Sequence, residues 1–145
     1  MVDLVAPRDT VGRLSDGPEI DLPDVVAEVT AVFERYERDL VANDVEALVE
    51  WFWPDGRAVR LGIDEELYGF EEIAAYRRSR AVATPDRTLH RTVITTFGPD
   101  LATVTTEFRP LGTDVVGRQS QMWMRTPDGW RITSAHVSWS GGRRP

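Results

Sequence analysis

GRQSQMWMRTPDGWRITSAHVS, Gly117 to Ser138, reads as two β-strands joined at Thr126-Pro127-Asp128-Gly129. Proline and glycine stand there where a tight turn needs them. Along the second strand one parity runs Trp130, Ile132, Ser134, His136, Ser138, so that face starts apolar and turns polar while keeping its bulk. Such a face fits a sheet half packed on a core and half lining a cavity. It fits equally a strand that frays toward solvent at its C-terminal end, and the strand by itself leaves both readings open.

The rest of the composition narrows the chemistry. At 145 residues the chain has the size of one domain with one core. A net charge of -7, with adjacent basic residues confined to Arg77-Arg78 and Arg143-Arg144, argues against a nucleic-acid partner. No apolar run is long enough to span a bilayer and the N-terminus lacks the apolar core of a secretory signal, so the chain reads as cytosolic, with no membrane partner. All 17 basic residues are arginine and there is no cysteine. Schiff-base catalysis, thiolate nucleophiles, disulfides and thiolate metal sites therefore fall away. His90 and His136, the two histidines, form no HxxxH or HxH pair, so a histidine-based metal site would need ligands gathered from distant elements and no metal is expected.

Residues 1–22 carry Pro7, Gly12, Gly17 and Pro18 without a sustained helix or strand period, the pattern of a flexible or loosely docked arm dispensable for folding. A single domain is expected over residues 23–140, followed by a tail at 141–145. A helix starts at Pro23-Asp24, with Val25, Val29, Val32, Phe33, Tyr36 and Leu40 as its inner stripe and Glu34, Arg35, Glu37 and Arg38 facing outward. Asn43 with Glu46 resembles a capping box for a short second helix. Short strands follow at Arg57 to Leu61 and Leu67-Tyr68. A third helix runs from Phe70 to Arg80, and Arg77, Arg78 and Arg80 read as its solvated, dipole-favoured end. Thr88 to Phe97, Leu101 to Arg109 and the closing hairpin complete the order α-α-β-β-α-β-β-β-β. Early helices and consecutive antiparallel strands define an α+β domain, with three helices packed on one face of a curved antiparallel sheet.

That order, and the stretches AEVTAVFERYERDLVANDVEAL from Ala27, VRLG from Val59, LYGFEEIAAYR from Leu67, RTVITTFGPDLA from Arg91, TEFRPLG from Thr106 and the closing hairpin, carry a resemblance to a known family. The chain resembles the AtzH-like and HpxZ-like proteins of cyanuric acid and oxalurate catabolism, within the SnoaL-like, nuclear transport factor 2-like superfamily. The resemblance covers nearly everything from Pro23 to Ser140. It implies a cone of three helices wrapped by a strongly bent sheet. It also implies a functional pair, a tyrosine on the first helix and an arginine in the first strand, which falls at Tyr36 in FERYE and Arg60 in AVRLG. The chain departs from the family at Leu61, where an aromatic residue often follows that arginine, and in its longer N-terminal arm.

On the residues alone, Tyr36 on an apolar stripe reads as a core aromatic and Arg60 as an exposed strand arginine. The resemblance makes them the catalytic pair. An arginine cannot serve as a base near neutral pH, but its planar fork suits a carboxylate and offsets developing negative charge. A phenol beside it can hand a proton to a leaving nitrogen. His136 and Ser138 are candidates to complete the site as proton relay and hydrogen-bond partner, against the reading of satisfied strand residues. Gln119 and Gln121 share one face of GRQSQ while Arg118 and Ser120 share the other, and the sequence leaves open which is inward. Tyr68, Glu107 and Arg109 are likewise unplaced.

The resemblance implies a cofactor-independent hydrolase or decarboxylase acting on a small N-carboxylated urea or related carboxylate amide, with an amidase beside it in nitrogen-compound catabolism. Two alternatives stand: a non-catalytic ligand-binding protein, and a proton-transfer isomerase, for which Glu107 is the one base to nominate. The long strands carry more Val, Ile, Met and Trp than three short helices cover, so a homodimer formed sheet against sheet is expected. Sedimentation at micromolar concentration checks it, with a dimer as the expected particle.

Overall fold

The hairpin read from the sequence forms the sheet's centre. The computed structural model describes residues 2–5, 17–80, 83–142 and 145. Its helices are α1 (Pro23–Ala42), α2 (Val45–Glu50) and α3 (Phe70–Ser79). The strands are β1 (Val59–Leu61), β2 (Glu66–Tyr68), β3 (Arg87–Phe97), β4 (Leu101–Pro110), β5 (Gly117–Thr126) and β6 (Gly129–Trp139). They make one curved six-stranded sheet in the order β2-β1-β6-β5-β4-β3. The class is α+β in the expected element order. One seam departs from the expected antiparallel sheet, because β1 pairs parallel to β6, with Arg60 beside Ala135.

The β5–β6 turn holds because Gly129 takes a φ of 105°, open to glycine, while the Thr126 hydroxyl donates to the Gly129 carbonyl at 2.7 Å. The turn fixes the register from Thr126 opposite Gly129 down to Trp123 opposite Ile132. There the pairing shifts: Ser134 lies opposite Met122, and Thr133 is left over as a β-bulge. A one-residue insertion exchanges the faces of everything beyond it. Trp130 and Ile132 are buried before the bulge, but beyond it the inward residue is Ala135, while Ser134 and His136 are exposed. The single face read from the sequence is therefore two half-faces.

α1 lays Val25, Val29, Phe33, Tyr36 and Leu40 on a core that includes Ala102, Val104, Trp123 and Ile132. Apolar periodicity puts them there, and indole donors fix the helix in place. Trp51 donates to Asp39 at 2.7 Å and Trp130 to Glu28 at 3.0 Å, so two acids of α1 satisfy buried N–H groups from other elements. The capping box expected from Asn43 is replaced by a two-residue division of labour. Asn43 ends α1 in the left-handed region, and Asp44 caps α2 by accepting from the Ala47 amide at 3.2 Å. Glu46 then pairs with Arg78 at 3.1 Å.

The expectation of a loose arm needs correction at both described ends. β3 is an edge strand, and unpaired edge amides favour any segment able to cover them. The Thr92 amide donates to Asp3 and the Val5 amide to Thr92, both at 2.8 Å. Further along, the Asp21 amide donates to Thr96 at 3.1 Å and the Gly98 amide to Glu19 at 2.8 Å. Residues 6–16 of that arm lie outside the described residues. Deleting residues 1–22 should lower the melting temperature by about 10–15 °C, since four backbone bonds worth about 1 kcal/mol each are lost and each kcal/mol moves the midpoint of a domain this size by about 3–4 °C; a thermal unfolding scan checks this.

Candidate functional site

α1, β1, α3 and the post-bulge half of β6 surround a cavity of about 140 Å³. Tyr36 and Arg60, far apart in sequence, both line it. Tyr36 comes from the inner stripe of α1 at 3 % exposure, with its ring edge-on to Trp123 at 6.2 Å. Arg60 comes from the centre of β1 at 7 % exposure; its register partner Ala135 is buried, so the parallel seam aims the guanidinium inward. Val137 and Trp139 reach the same cavity because the bulge turned them inward.

The bulge also decides the fate of the other residues read from the closing strand. His136 is exposed, and Ser138 lies opposite exposed Arg118 on the outer side, so neither lines the cavity. Tyr68 is 62 % exposed on edge strand β2 and is no part of the site. The open question of GRQSQ is settled: Gln119 and Gln121 face inward, Arg118 and Ser120 outward. Only Gln119 lines the cavity. Gln121 lies deeper, its oxygen accepting from the Trp123 indole at 3.0 Å. Glu107, nominated as an isomerase base, stands on the outer side with its carboxylate 3.7 Å from Arg91, and Arg109 is exposed.

Arginines make up the rest of the charged lining. Arg77 and Arg80 of the third-helix end and Arg87 of β3 join Arg60 there. The reading of Arg77 as solvated is overturned, since it is 4 % exposed. Its position carried the signal: Ile73, Ala74 and Arg77 fall at helical spacing on one stripe. Burial, together with the charges of Arg60 and Arg80, pushes its guanidinium below the usual arginine range, while Tyr36 and Tyr76 act the other way. Pro145 also lines the cavity, so the end of the expected tail reaches the site.

Two of these cations have acidic partners. Arg60 donates through Nη1 to Glu65, and its guanidinium carbon lies 5.5 Å from the centre of the Tyr76 ring. Glu37, expected to face outward, reaches Arg87 at 2.6 Å; Arg87 also donates to Gln119 at 3.0 Å and stacks on Phe108 at 4.3 Å. A larger cavity of about 1000 Å³ lies where Leu4, Val5 and Ile20 meet β3 to β5, and neither Tyr36 nor Arg60 lines it. Among the described residues, no group of three or more His, Asp or Glu side chains converges to hold a metal ion, and no helix is long and apolar enough to cross a membrane.

Similar folds occur in solved structures. A protein of unknown function from Pectobacterium atrosepticum, of the DUF3225 family, is 51% identical, with a TM-score of 0.81 over 88% of this chain and 98% of that one. A cystatin-like fold protein from Burkholderia xenovorans is 52% identical, with a TM-score of 0.80 over 85% of this chain and 97% of that one. A putative ketosteroid isomerase from Parabacteroides distasonis, 19% identical over 77% of this chain and 84% of that one at a TM-score of 0.62, shares the fold. The class is thus that of NTF2-like, cystatin-like folds. Within it, the AtzH-like family model matches residues 18–142, and the chain belongs to the AtzH-like family. No curated protein matches the chain.

The Arg60–Glu65 contact depends on a glycine. The turn closes with the Gly62 amide donating to the Glu65 carbonyl at 2.8 Å, and a Cβ on Gly62 would overlap the Glu65 carboxylate. Glu65→Ala should cost about 3 kcal/mol, the low end for a buried pair losing one partner, because both side chains keep some exposure. Gly62→Ala removes the same contact, so the double variant should be scarcely worse than the more damaging single one. Urea unfolding of the three variants checks this.

Proposed function

We propose that this chain is a cofactor-independent hydrolase or decarboxylase that breaks a C–N bond in a small N-carboxylated urea, of the 1,3-dicarboxyurea type, or a related carboxylate amide. The observation that carries the reading is that Tyr36 and Arg60 line one cavity whose other charged side chains, among the described residues, are arginines. A site so lined selects for an anion, and a cavity of about 140 Å³ suits a ligand of few heavy atoms.

Arg60 keeps donors for a ligand, since Glu65 takes Nη1 and no other described group bonds the rest of the fork. It grips the part of the substrate that is retained and offsets the negative charge gathering on the urea unit. As the bond between nitrogen and the departing carboxylate breaks, the electron pair stays on nitrogen. Tyr36, whose hydroxyl bonds no described residue, gives that nitrogen its proton. Carbon dioxide leaves, and water returns a proton to the phenolate. The protein would work as a cytosolic homodimer, its amide product passing to an amidase. The isomerase alternative loses support, because Glu107 faces away from Tyr36.

Tyr36→Phe should lower turnover of an N-carboxylated urea by about 10²–10⁴-fold with little change in stability. Arg60→Lys keeps charge but loses the fork, and activity should again fall sharply. The double variant should be scarcely worse than the more damaging single one, because both groups serve one transition state. Carbon dioxide and ammonia release from N-carboxylated ureas, oxalurate and allophanate is the assay. Wild-type turnover by Tyr36→Phe would return the phenol to the core, and with His136 on the outer face no other proton donor read from the sequence remains.

A further inference from the structure

Among the described residues, three arginines hold a carboxylate with the same two atoms. Arg57 reaches Asp55 through Nε and Nη2 at 2.9 and 3.1 Å, Arg78 reaches Glu46 at 3.1 and 3.2 Å, and Arg87 reaches Glu37 at 3.2 and 2.6 Å. Nε and Nη2 form one edge of the guanidinium, with two parallel N–H bonds spaced to meet the two oxygens of a carboxylate. In Arg77 the same pair, Nε and Nη2, is buried with no hydrogen-bond partner among the described residues. Arg77 nevertheless lines the cavity. A fork shielded from bulk water and left unpaired is costly for the ligand-free fold, because a guanidinium stays charged and its donors need acceptors.

We infer that Arg77 is the anchoring residue of the cavity: its Nε–Nη2 edge is reserved for a carboxylate of the ligand, separately from the donors that Arg60 offers. The neighbouring arginines explain the assignment. Arg87 has spent its edge on Glu37, and Arg60 is held by Glu65. Arg80 lies over the Tyr76 ring at 5.9 Å and is only partly buried, so water can serve it. Arg60 is also buried in the cavity wall, but Glu65 already offsets its charge; Arg77 alone among these four is buried there with no acidic partner among the described residues. The inference rests on the proposed function only for taking a carboxylate-bearing compound as the ligand. It names a specificity residue that reaches the cavity from α3, an element that supplies neither Tyr36 nor Arg60.

The probe is malonate, a small unreactive dicarboxylate, titrated as its sodium salt at constant ionic strength against wild-type protein, Arg77→Met and Arg77→Lys. Calorimetric binding and thermal unfolding are both read. Wild-type protein should bind malonate saturably and melt at a higher temperature with it. Arg77→Met should melt no lower than wild type without malonate, because a buried unpaired charge has been replaced by an apolar side chain, and its malonate dissociation constant should rise about tenfold or more. Arg77→Lys should bind as poorly, since it keeps the charge and loses the edge. Malonate binding of wild-type strength in either variant, or none in the wild-type protein, overturns the inference. So does an Arg77→Met protein that is unfolded or melts several degrees lower without malonate, because Arg77 would then be structural. Turnover is measured separately: a wild-type protein that binds malonate through Arg77 but releases no carbon dioxide removes the proposed reaction and leaves the anchor.

Discussion

A guanidinium packed among apolar side chains must find an anion, and that requirement organises this molecule around its cavity. α1 supplies Glu37 to Arg87, and the tight turn after β1 bends Glu65 back onto Arg60. Both acids come from positions that the local pattern alone would send to solvent. The helix and the turn are therefore held by charge compensation as well as by apolar burial, and the charge that remains uncompensated is left facing the cavity. Like charges gathered at this range repel, which the surrounding fold must overcome through its well-packed core.

The protein as a whole is acidic, with a net charge of -7, while this cavity is lined by arginine. A basic recess in an acidic body repels anions at long range and holds them at short range. Association is then set by the local field near the cavity, where low-dielectric walls concentrate it. That arrangement favours small, well-matched anions over polyanions, which would meet the acidic surface across a broad front.

Much of the architecture was legible because its signals are periodic or local. The stripe Val25, Val29, Phe33, Tyr36, Leu40 shows a buried helical face directly, and Pro127 with Gly129 marks the turn. The pair Tyr36 and Arg60 was legible only through the family's motifs, since apolar spacing reads the tyrosine as core. His136 and Ser138 were misplaced for a definite reason. Strict alternation assumes an unbroken pleat, and nothing in RITSAH announces that Thr133 stands out of register. Arg77 was hidden by its chemistry, because a charged residue at a helix end reads as solvated although its spacing put it on the inner stripe. The docking of Asp3 and Glu19 to Asp21 on β3 depends on an open strand edge, a property of the assembled sheet that no arm sequence displays.

The bulge at Thr133 divides β6 into two stretches with different neighbours. Before it, Ile132 exchanges backbone bonds with Trp51 and Trp53; after it, β1 runs alongside from Ser134 to His136. The first stretch faces the core through Trp130 and Ile132, the second faces the cavity through Val137 and Trp139. One strand thus carries its core-packing duty and its cavity-lining duty in separate segments. Divergence can reshape the wall at positions 137 and 139 without touching the residues that hold the sheet to α1, so a lineage built on this strand can change the shape of its cavity while inheriting its core intact.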